Sequence, residues 1–166
     1  SNTLRVLGWP AAIGVGLCDI AKGSLAVLLV SRLSLADAAP DPLAAQLVAA
    51  GAAVCGHIWT VFAGFRGGKG VATSAGAMLA LAPGTTALCV PVFVAVAGLT
   101  RYAALASLTG TACFPLLLWG LRAAGLSEAP NSMIAFACGL FALTLFTHRA
   151  NLGRLLAGTE NRFGGG

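Results

Sequence analysis

The chain has 166 residues, of which 58% are hydrophobic and only 9% are charged. A soluble domain carries about 25% charged residues, so this composition excludes an ordinary water-exposed surface, and it equally excludes disorder, which needs low hydrophobicity and high charge. The formal net charge of +5 fits basic loops beside membrane helices, not a nucleic-acid partner, because no soluble module would display it. The sequence therefore predicts an all-α integral membrane protein.

The cysteines and the first residues of the chain give two further predictions. The cysteines are scattered singly through apolar stretches without metal-ligand spacing, so we expect neither a metal site nor a disulfide framework. The first residue is not Met, and no signal-peptide pattern precedes the first apolar run. We therefore expect the chain to be truncated at its N-terminus.

Windows without Asp, Glu, Lys or Arg mark the membrane spans, because a spanning helix needs about 20 apolar residues. The long window 70–100 contains Pro83-Gly84, a helix stop and turn signal, and is divided there. Its first part is about 20 Å long as a helix and should begin below the membrane surface. We predict a single transmembrane domain over 1–166 with six helices at 8–31, 43–63, 70–82, 85–100, 102–121 and 129–147, followed by a cytoplasmic tail at 148–166.

Six crossings place both ends of the chain on the same side of the membrane. That face then holds seven basic residues, namely Arg5, Arg66, Lys69, Arg101, Arg149, Arg154 and Arg162, whereas the opposite loops hold Arg32 and Arg122. By the positive-inside rule the face with seven is cytoplasmic.

The first predicted span carries polar residues at its mouth and in its interior. Asn2 and Arg5 lie at the mouth, where a basic residue is the default membrane anchor. Asp19 and Lys22 are three residues apart inside the span. Burying either charge alone is costly, so we expect the two to pair, as a structural clamp or as part of a site.

A second polar cluster lies between the second and third predicted spans. Gly67, Gly68 and Gly70 surround Lys69, and such a turn opening a helix can aim successive backbone N–H groups at an anion. Lys69 adds a charge, and Thr73 or Ser74 can add a hydroxyl, so the cluster suits a phosphate. The alternative is an interfacial turn with a lysine that reaches toward water. His57 precedes the cluster, and a lone membrane histidine more often bonds a backbone carbonyl than takes part in chemistry.

A third polar cluster begins the tail. His148 and Asn151 would share one face if the sixth helix continues, and a neutral imidazole with a carboxamide can orient a hydroxyl or accept its proton. Arg154 and Glu160 follow. A simple membrane anchor would use the arginines but not the histidine and asparagine.

Together these clusters resemble the motifs of the bacterial acyl-phosphate:glycerol-3-phosphate acyltransferases, the PlsY family. Asn2 to Arg5 resemble the end of the family's first motif, Gly56 to Thr73 its second, and His148 to Glu160 its third. The segment from Asp19 to Gly23 is similar to another recurring stretch. The family usually has seven spans, and the first span and the motif serine have no equivalent here.

The resemblance implies transfer of a fatty acyl group from acyl phosphate to the 1-hydroxyl of sn-glycerol 3-phosphate, on the cytoplasmic face of the bacterial inner membrane. Lysophosphatidic acid and inorganic phosphate would be the products, and the enzyme would need no cofactor or metal because the donor is already activated. We expect it to work as a monomer in membrane lipid.

The resemblance also implies roles for the clustered residues. Arg5 and Lys69, with Asn2 and His57 nearby, would hold the glycerol phosphate, and the 67–73 loop would cradle a phosphate, that of the acyl donor. His148 and Asn151 would orient the attacking hydroxyl. Glu160 would brace the tail by pairing with a nearby arginine such as Arg154.

The competing class is a small membrane transporter or a lipid- or phosphate-binding module without catalysis. Transporters carry their sparse polar residues near the bilayer midplane and often show internally repeated halves. No repeat is evident here, and the phosphate-suited residues collect at one face. The enzyme is therefore the favoured interpretation.

Overall fold

A computed structural model describes residues 2–33 and 41–163. The side chains of Asn2, Leu4 and Arg5 lie outside that description, so the predicted roles of Asn2 and Arg5 do as well. The described residues form seven α-helices and no strand, which confirms the predicted fold class. The α-helices are α1 (Asn2–Leu28), α2 (Pro42–Ile58), α3 (Val71–Leu81), α4 (Pro83–Thr100), α5 (Ala103–Ala123), α6 (Asn131–Thr147) and α7 (Arg149–Leu156).

Each predicted span overlaps one helix, but several boundaries differ. α2 ends at Ile58 and not at residue 63, because the chain turns there into the loop that precedes α3. Pro83 begins α4 instead of standing in a turn, because proline at the first helical position lacks only an N–H that the helix does not use. The break between α3 and α4 is the single residue Ala82. α1 starts earlier than predicted and is interrupted at Gly8, whose φ of 78° is not helical.

Four helices in the described part of the chain are long and apolar enough to cross a membrane by themselves: α1 with its following turn, α2 with its following turn, α4 and α5. The pair α6 and α7, bent by 64°, would make a fifth. α3 has 11 residues and is about 17 Å long, which confirms that this segment is short. The number of six crossings stays a prediction.

The chain divides into two compact units, Ser1–Pro83 and Gly84–Gly166. In the first unit α1 packs closely against α3 through glycines. A Cβ on Gly23 would overlap the carbonyl of Thr73, and a Cβ on Gly76 would overlap the carbonyl of Ile20. Ser24 Oγ donates a hydrogen bond to the Gly76 carbonyl at 2.7 Å. Small residues of this kind let membrane helices approach until their backbones touch.

The start of α2 and the α5–α6 connection are fixed by local polar contacts. Asp41 caps α2 by accepting a hydrogen bond from the amide of Ala44 at 3.0 Å, with Pro42 in the first turn. In the second unit, Arg122 donates to Asn131 Oδ1 at 2.6 Å and to the carbonyl of Ala129 at 3.2 Å. These contacts close the turn between α5 and α6.

Replacing Gly23 by alanine should destabilise the first unit. The added Cβ meets the Thr73 carbonyl and lies 2.8 Å from the Ala77 amide nitrogen, and backbone atoms cannot move aside as a side-chain tip can. We expect a loss of about 1–3 kcal/mol in unfolding free energy, measured as a lower thermal midpoint in detergent.

Gly14→Ala is the matched control on the same helix, because no other atom lies within 4 Å of its added Cβ. It should leave the midpoint unchanged or raise it slightly, as alanine favours helix. Equal midpoints for the two variants would contradict the close packing of α1 on α3.

Candidate functional site

The loop between α2 and α3 reverses direction and docks onto the end of α2. The amide of Gly67 donates to the carbonyl of Ile58 at 2.9 Å, and the amide of Gly68 donates to the carbonyl of His57 at 3.2 Å. The last carbonyls of an α-helix have no partner within the helix, so these bonds also satisfy the C-terminus of α2. The reversal uses left-handed backbone at Gly64 and Phe65.

Glycine is required at both docking positions. A Cβ on Gly67 would overlap the carbonyl oxygen of His57, and a Cβ on Gly68 would overlap Nε2 of the His57 ring. The imidazole of His57 therefore occupies the space that a side chain at position 68 would fill.

The prediction that the amides of Gly67 and Gly68 point at an anion is wrong. Both are used in binding the carbonyls of α2, and a donor that already has a carbonyl partner is not offered to a ligand. The groups of the loop that are not used in this docking lie further along, in half-buried Lys69 and the first turn of α3.

The first turn of α3 offers donors of its own. Gly70 has φ of 79° and precedes the helix, and its carbonyl accepts the first helical bond, from Ser74 N at 2.8 Å. The amides of residues 71–73 are those that an α-helix leaves without an internal acceptor. The Thr73 hydroxyl is fully buried and has no hydrogen-bond partner among the described residues, and Ser74 is buried as well.

The predicted pair of Asp19 and Lys22 is confirmed, and His57 joins it. Lys22 Nζ lies 2.9 Å from Asp19 Oδ1 and 2.9 Å from His57 Nδ1. The same His57 nitrogen is 3.2 Å from Asp19 Oδ1. The ring of His57 thus contacts two charged side chains, and the expectation that it bonds a backbone carbonyl is not met by its Nδ1.

In the second unit, His148 stands at the junction of α6 and α7. The sixth helix does not continue through it: α6 ends at Thr147, where the predicted span also ends, and α7 leaves at 64°. His148 directly precedes α7 and Asn151 lies in its first turn, and both are buried.

The protonation of His148 follows from its partner. Nδ1 lies 2.9 Å from the backbone carbonyl of Thr144, and a carbonyl only accepts. Nδ1 therefore carries the proton, and in the neutral ring Nε2 is the nitrogen whose lone pair can accept one. Sequence reasoning missed Thr144, since a backbone carbonyl leaves no mark in the side-chain pattern.

Asn151 is held by Glu160, which the turn at Gly158 brings back toward α7. Asn151 Nδ2 donates to Glu160 Oε1 at 2.6 Å, and Arg154 Nε donates to Glu160 Oε2 at 2.7 Å. The predicted pairing of Glu160 with an arginine is confirmed for Arg154. Because the amide nitrogen of Asn151 faces the carboxylate, its carbonyl oxygen faces the other way.

The structure thus sorts the predicted site residues into two groups, one in each unit. The first unit brings together Asp19, Lys22, His57, Gly67 and Gly68, with Lys69, Gly70, Thr73 and Ser74 directly following in the chain. The second unit brings together His148, Asn151, Arg154 and Glu160.

Comparison with known proteins gives a consistent match over nearly the whole chain. A family model described as glycerol-3-phosphate acyltransferase matches residues 1–158. The glycerol-3-phosphate acyltransferase of Chlorobium luteolum is 38% identical over 186 aligned positions, covering 98% of this chain and 79% of its own. That of Clostridioides difficile is 41% identical over 164 positions, covering 99% and 76%.

Solved structures give the same result. The crystal structure of PlsY (YgiH), an integral membrane glycerol 3-phosphate acyltransferase, in its glycerol 3-phosphate form matches with a TM-score of 0.81 and 34% identity, covering 98% of this chain and 76% of that one. Its lysophosphatidic acid form matches with a TM-score of 0.80 and 34% identity, covering 98% and 78%.

Removing the Glu160 carboxylate should loosen the tail. In Glu160→Ala the nearly buried acceptor of Asn151 and Arg154 is lost; the buried Asn151 donor then costs about 1–3 kcal/mol, whereas Arg154, which is 42% exposed, can turn to water. We expect faster limited proteolysis after residue 156 and a lower thermal midpoint.

Glu128→Ala serves as the control, because this exposed carboxylate lies in the α5–α6 connection of the same unit. It should be cleaved at the wild-type rate. A Glu160→Ala protein as resistant as the control would show that the two hydrogen bonds do not hold the tail.

Proposed function

Because the chain belongs to the glycerol-3-phosphate acyltransferase family, we propose that it transfers a fatty acyl group from acyl phosphate to the 1-hydroxyl of sn-glycerol 3-phosphate. It is an acyltransferase and an integral membrane protein. The proposed products are lysophosphatidic acid and inorganic phosphate, and the reaction would be the first step of bacterial phospholipid synthesis.

The observation that carries the proposal is the position of Lys69 at the head of α3. The docked loop places this cation directly before Gly70 and the first helical turn, where backbone amides and the positive end of the helix favour an anion. Both proposed substrates carry a phosphate. We assign the glycerol phosphate to Lys69 with Arg5 and Asn2, and the donor phosphate to the first turn of α3.

The hydroxyl of Thr73 supports the same assignment. It is buried without a partner in the described part of the chain, and such a group costs about 1–3 kcal/mol in lost hydration. A phosphate oxygen that reached it would supply the missing acceptor.

His148 and Asn151 are proposed to orient the attacking hydroxyl. The Thr144 carbonyl holds the Nδ1 proton of His148, so Nε2 can accept the hydrogen bond of an alcohol. Glu160 fixes the amide of Asn151, which gives its carbonyl oxygen, the proposed second acceptor, a defined direction. Pre-orientation of this kind lowers the entropic part of the barrier.

The chemistry needs neither a protein nucleophile nor a cofactor. The glycerol hydroxyl oxygen forms a bond to the acyl carbon, the bond from that carbon to the phosphate oxygen breaks, and the hydroxyl proton ends on the released phosphate. Charge develops on the phosphate oxygens, where fixed donors stabilise it most. Residues 1–166 would act as one catalytic domain and as a monomer.

The location follows from the distribution of charge. The predicted six crossings would put the Lys69 loop and the tail on the face with seven of the basic residues. We propose that this face is cytoplasmic and that the protein resides in the bacterial inner membrane. The glycerol phosphate would then arrive from water and the acyl donor from the lipid.

The transporter alternative has less support. Internal repetition, which many transporters show, is not evident in the sequence, the phosphate-suited residues collect at one predicted face, and the similar proteins are acyltransferases.

Kinetics of two variants test the proposed roles. Lys69→Ala should lower kcat/KM for glycerol 3-phosphate about a hundredfold, because one fixed donor to charge is lost. His148→Gln should lower kcat by about 10²–10⁴ while KM changes little, because the ring nitrogen that accepts the proton is replaced by an amide. The measurement is formation of lysophosphatidic acid from palmitoyl phosphate in lipid mesophase.

Arg32→Gln is the charge-matched control for Lys69→Ala, since Arg32 is exposed at the end of the turn after α1. It should retain wild-type kinetics. Wild-type turnover in Lys69→Ala, or an effect of His148→Gln confined to thermal stability, would overturn the corresponding assignment.

A further inference from the structure

Nδ1 of His57 lies near two charged groups. One of them requires this nitrogen to be unprotonated and the other requires it to be protonated. Lys22 Nζ, at 2.9 Å from Nδ1, is an ammonium that only donates. Asp19 Oδ1, at 3.2 Å, is a carboxylate oxygen that only accepts. Nδ1 cannot accept from the first and donate to the second at once.

The shorter contact decides between the two states. A protonated Nδ1 would place an N–H against an ammonium at 2.9 Å, which sets two donors against each other. With an unprotonated Nδ1, Lys22 donates to His57 and also to Asp19 Oδ1 at 2.9 Å, and every contact joins a donor to an acceptor. The ring proton of His57 then lies on Nε2.

We propose that Lys22 and Asp19 are positioning residues for the acyl transfer, because Lys22 holds His57 in the Nε2–H form and Asp19 holds Lys22. The inference rests on the proposed function for its substrate: Nε2–H donates a hydrogen bond to a phosphate oxygen bound beside the Lys69 loop.

The position of Nε2 supports this role. It occupies the space of a side chain at Gly68, the residue before Lys69. Among the described residues Nε2 has no hydrogen-bond partner, because the polar contacts of His57 are those of Nδ1. A neutral N–H beside the loop that carries Lys69 can donate a hydrogen bond to a phosphate oxygen.

This arrangement gives a function to the two charged residues inside α1. Lys22 and Asp19 lie in a candidate membrane span, where ionisable residues are costly and are retained mainly for function. The ion pair lies within α1, so α1 is joined to α2 here by the contacts of Lys22 and Asp19 with His57. The contact of Lys22 with an imidazole nitrogen, at hydrogen-bond distance, selects a tautomer as well.

His148 provides the contrast. Its Nδ1 faces a carbonyl and carries the proton, whereas the Nδ1 of His57 faces an ammonium and does not. The chain has two histidines, and the geometry gives them opposite tautomers: one presents a donor at Nε2 and the other an acceptor.

Nuclear magnetic resonance of the ¹⁵N-histidine-labelled protein in lipid tests the tautomers directly. At about pH 8.5, well above the ordinary histidine pKa of ~6.5, His57 should show a protonated Nε2 and His148 a protonated Nδ1. The variants His57→Gln and His148→Gln assign the signals. A protonated Nδ1 on His57 would overturn the proposal, and this readout does not depend on activity.

Variants of Lys22 test the consequence for the substrate. Lys22→Met removes the donor to Nδ1, so the His57 proton should move to Nδ1 and bond Asp19. KM for glycerol 3-phosphate should then rise about tenfold with little change in kcat, as one hydrogen bond to a charged group is lost. Lys22→Arg should restore the tautomer and most of the affinity, and Arg32→Met, which removes an exposed cation elsewhere, should change neither.

The outcomes separate the two proposals. A shifted tautomer with unchanged KM in Lys22→Met would overturn the positioning role and leave the enzyme assignment in place. A wild-type protein with the predicted tautomers but no product would instead overturn the proposed function. Should Lys22→Met fail to fold, the wild-type spectrum and Lys22→Arg still decide the tautomer.

Discussion

The first unit depends on two hydrogen bonds from glycine amides to the end of α2. An α-helix that ends in a membrane leaves carbonyls without partners, and the amides of Gly67 and Gly68 satisfy two of them. The chain must then reverse and begin α3 at once, which puts Lys69 at the head of a new helix. The capping of α2 and the position of Lys69, where we propose a phosphate to bind, are consequences of the same contact.

The close packing of α1 on α3 has a second consequence. The backbone contacts at Gly23 and Gly76 fix the position of α1 along its own axis, and with it the level at which its residues meet the end of α2. Asp19 and Lys22 thereby meet His57, and two charges that would be costly alone share their contacts with an imidazole. In the second unit the tail positions a polar side chain, because Glu160 accepts a hydrogen bond from Asn151 in the first turn of α7.

Features with local spacing were predictable from the sequence. The apolar segments, the short α3 and the pair of Asp19 and Lys22 follow from composition and from the three-residue spacing of a helix. The contact of Lys22 with His57 was not, because the two are 35 residues apart and meet only through helix packing. The bend at His148 and the use of the Gly67 and Gly68 amides also escaped prediction, since backbone hydrogen bonds leave no periodic pattern in side chains.

The acyl donor is the central claim, and phosphate release from palmitoyl phosphate tests it most directly. The purified chain in lipid is supplied with palmitoyl phosphate, with or without glycerol 3-phosphate, and in parallel with palmitoyl-CoA as the competing donor. We predict phosphate release that depends on glycerol 3-phosphate and equals the lysophosphatidic acid formed, with no product from palmitoyl-CoA. Product formed from palmitoyl-CoA alone, or phosphate release indifferent to glycerol 3-phosphate, would contradict the account.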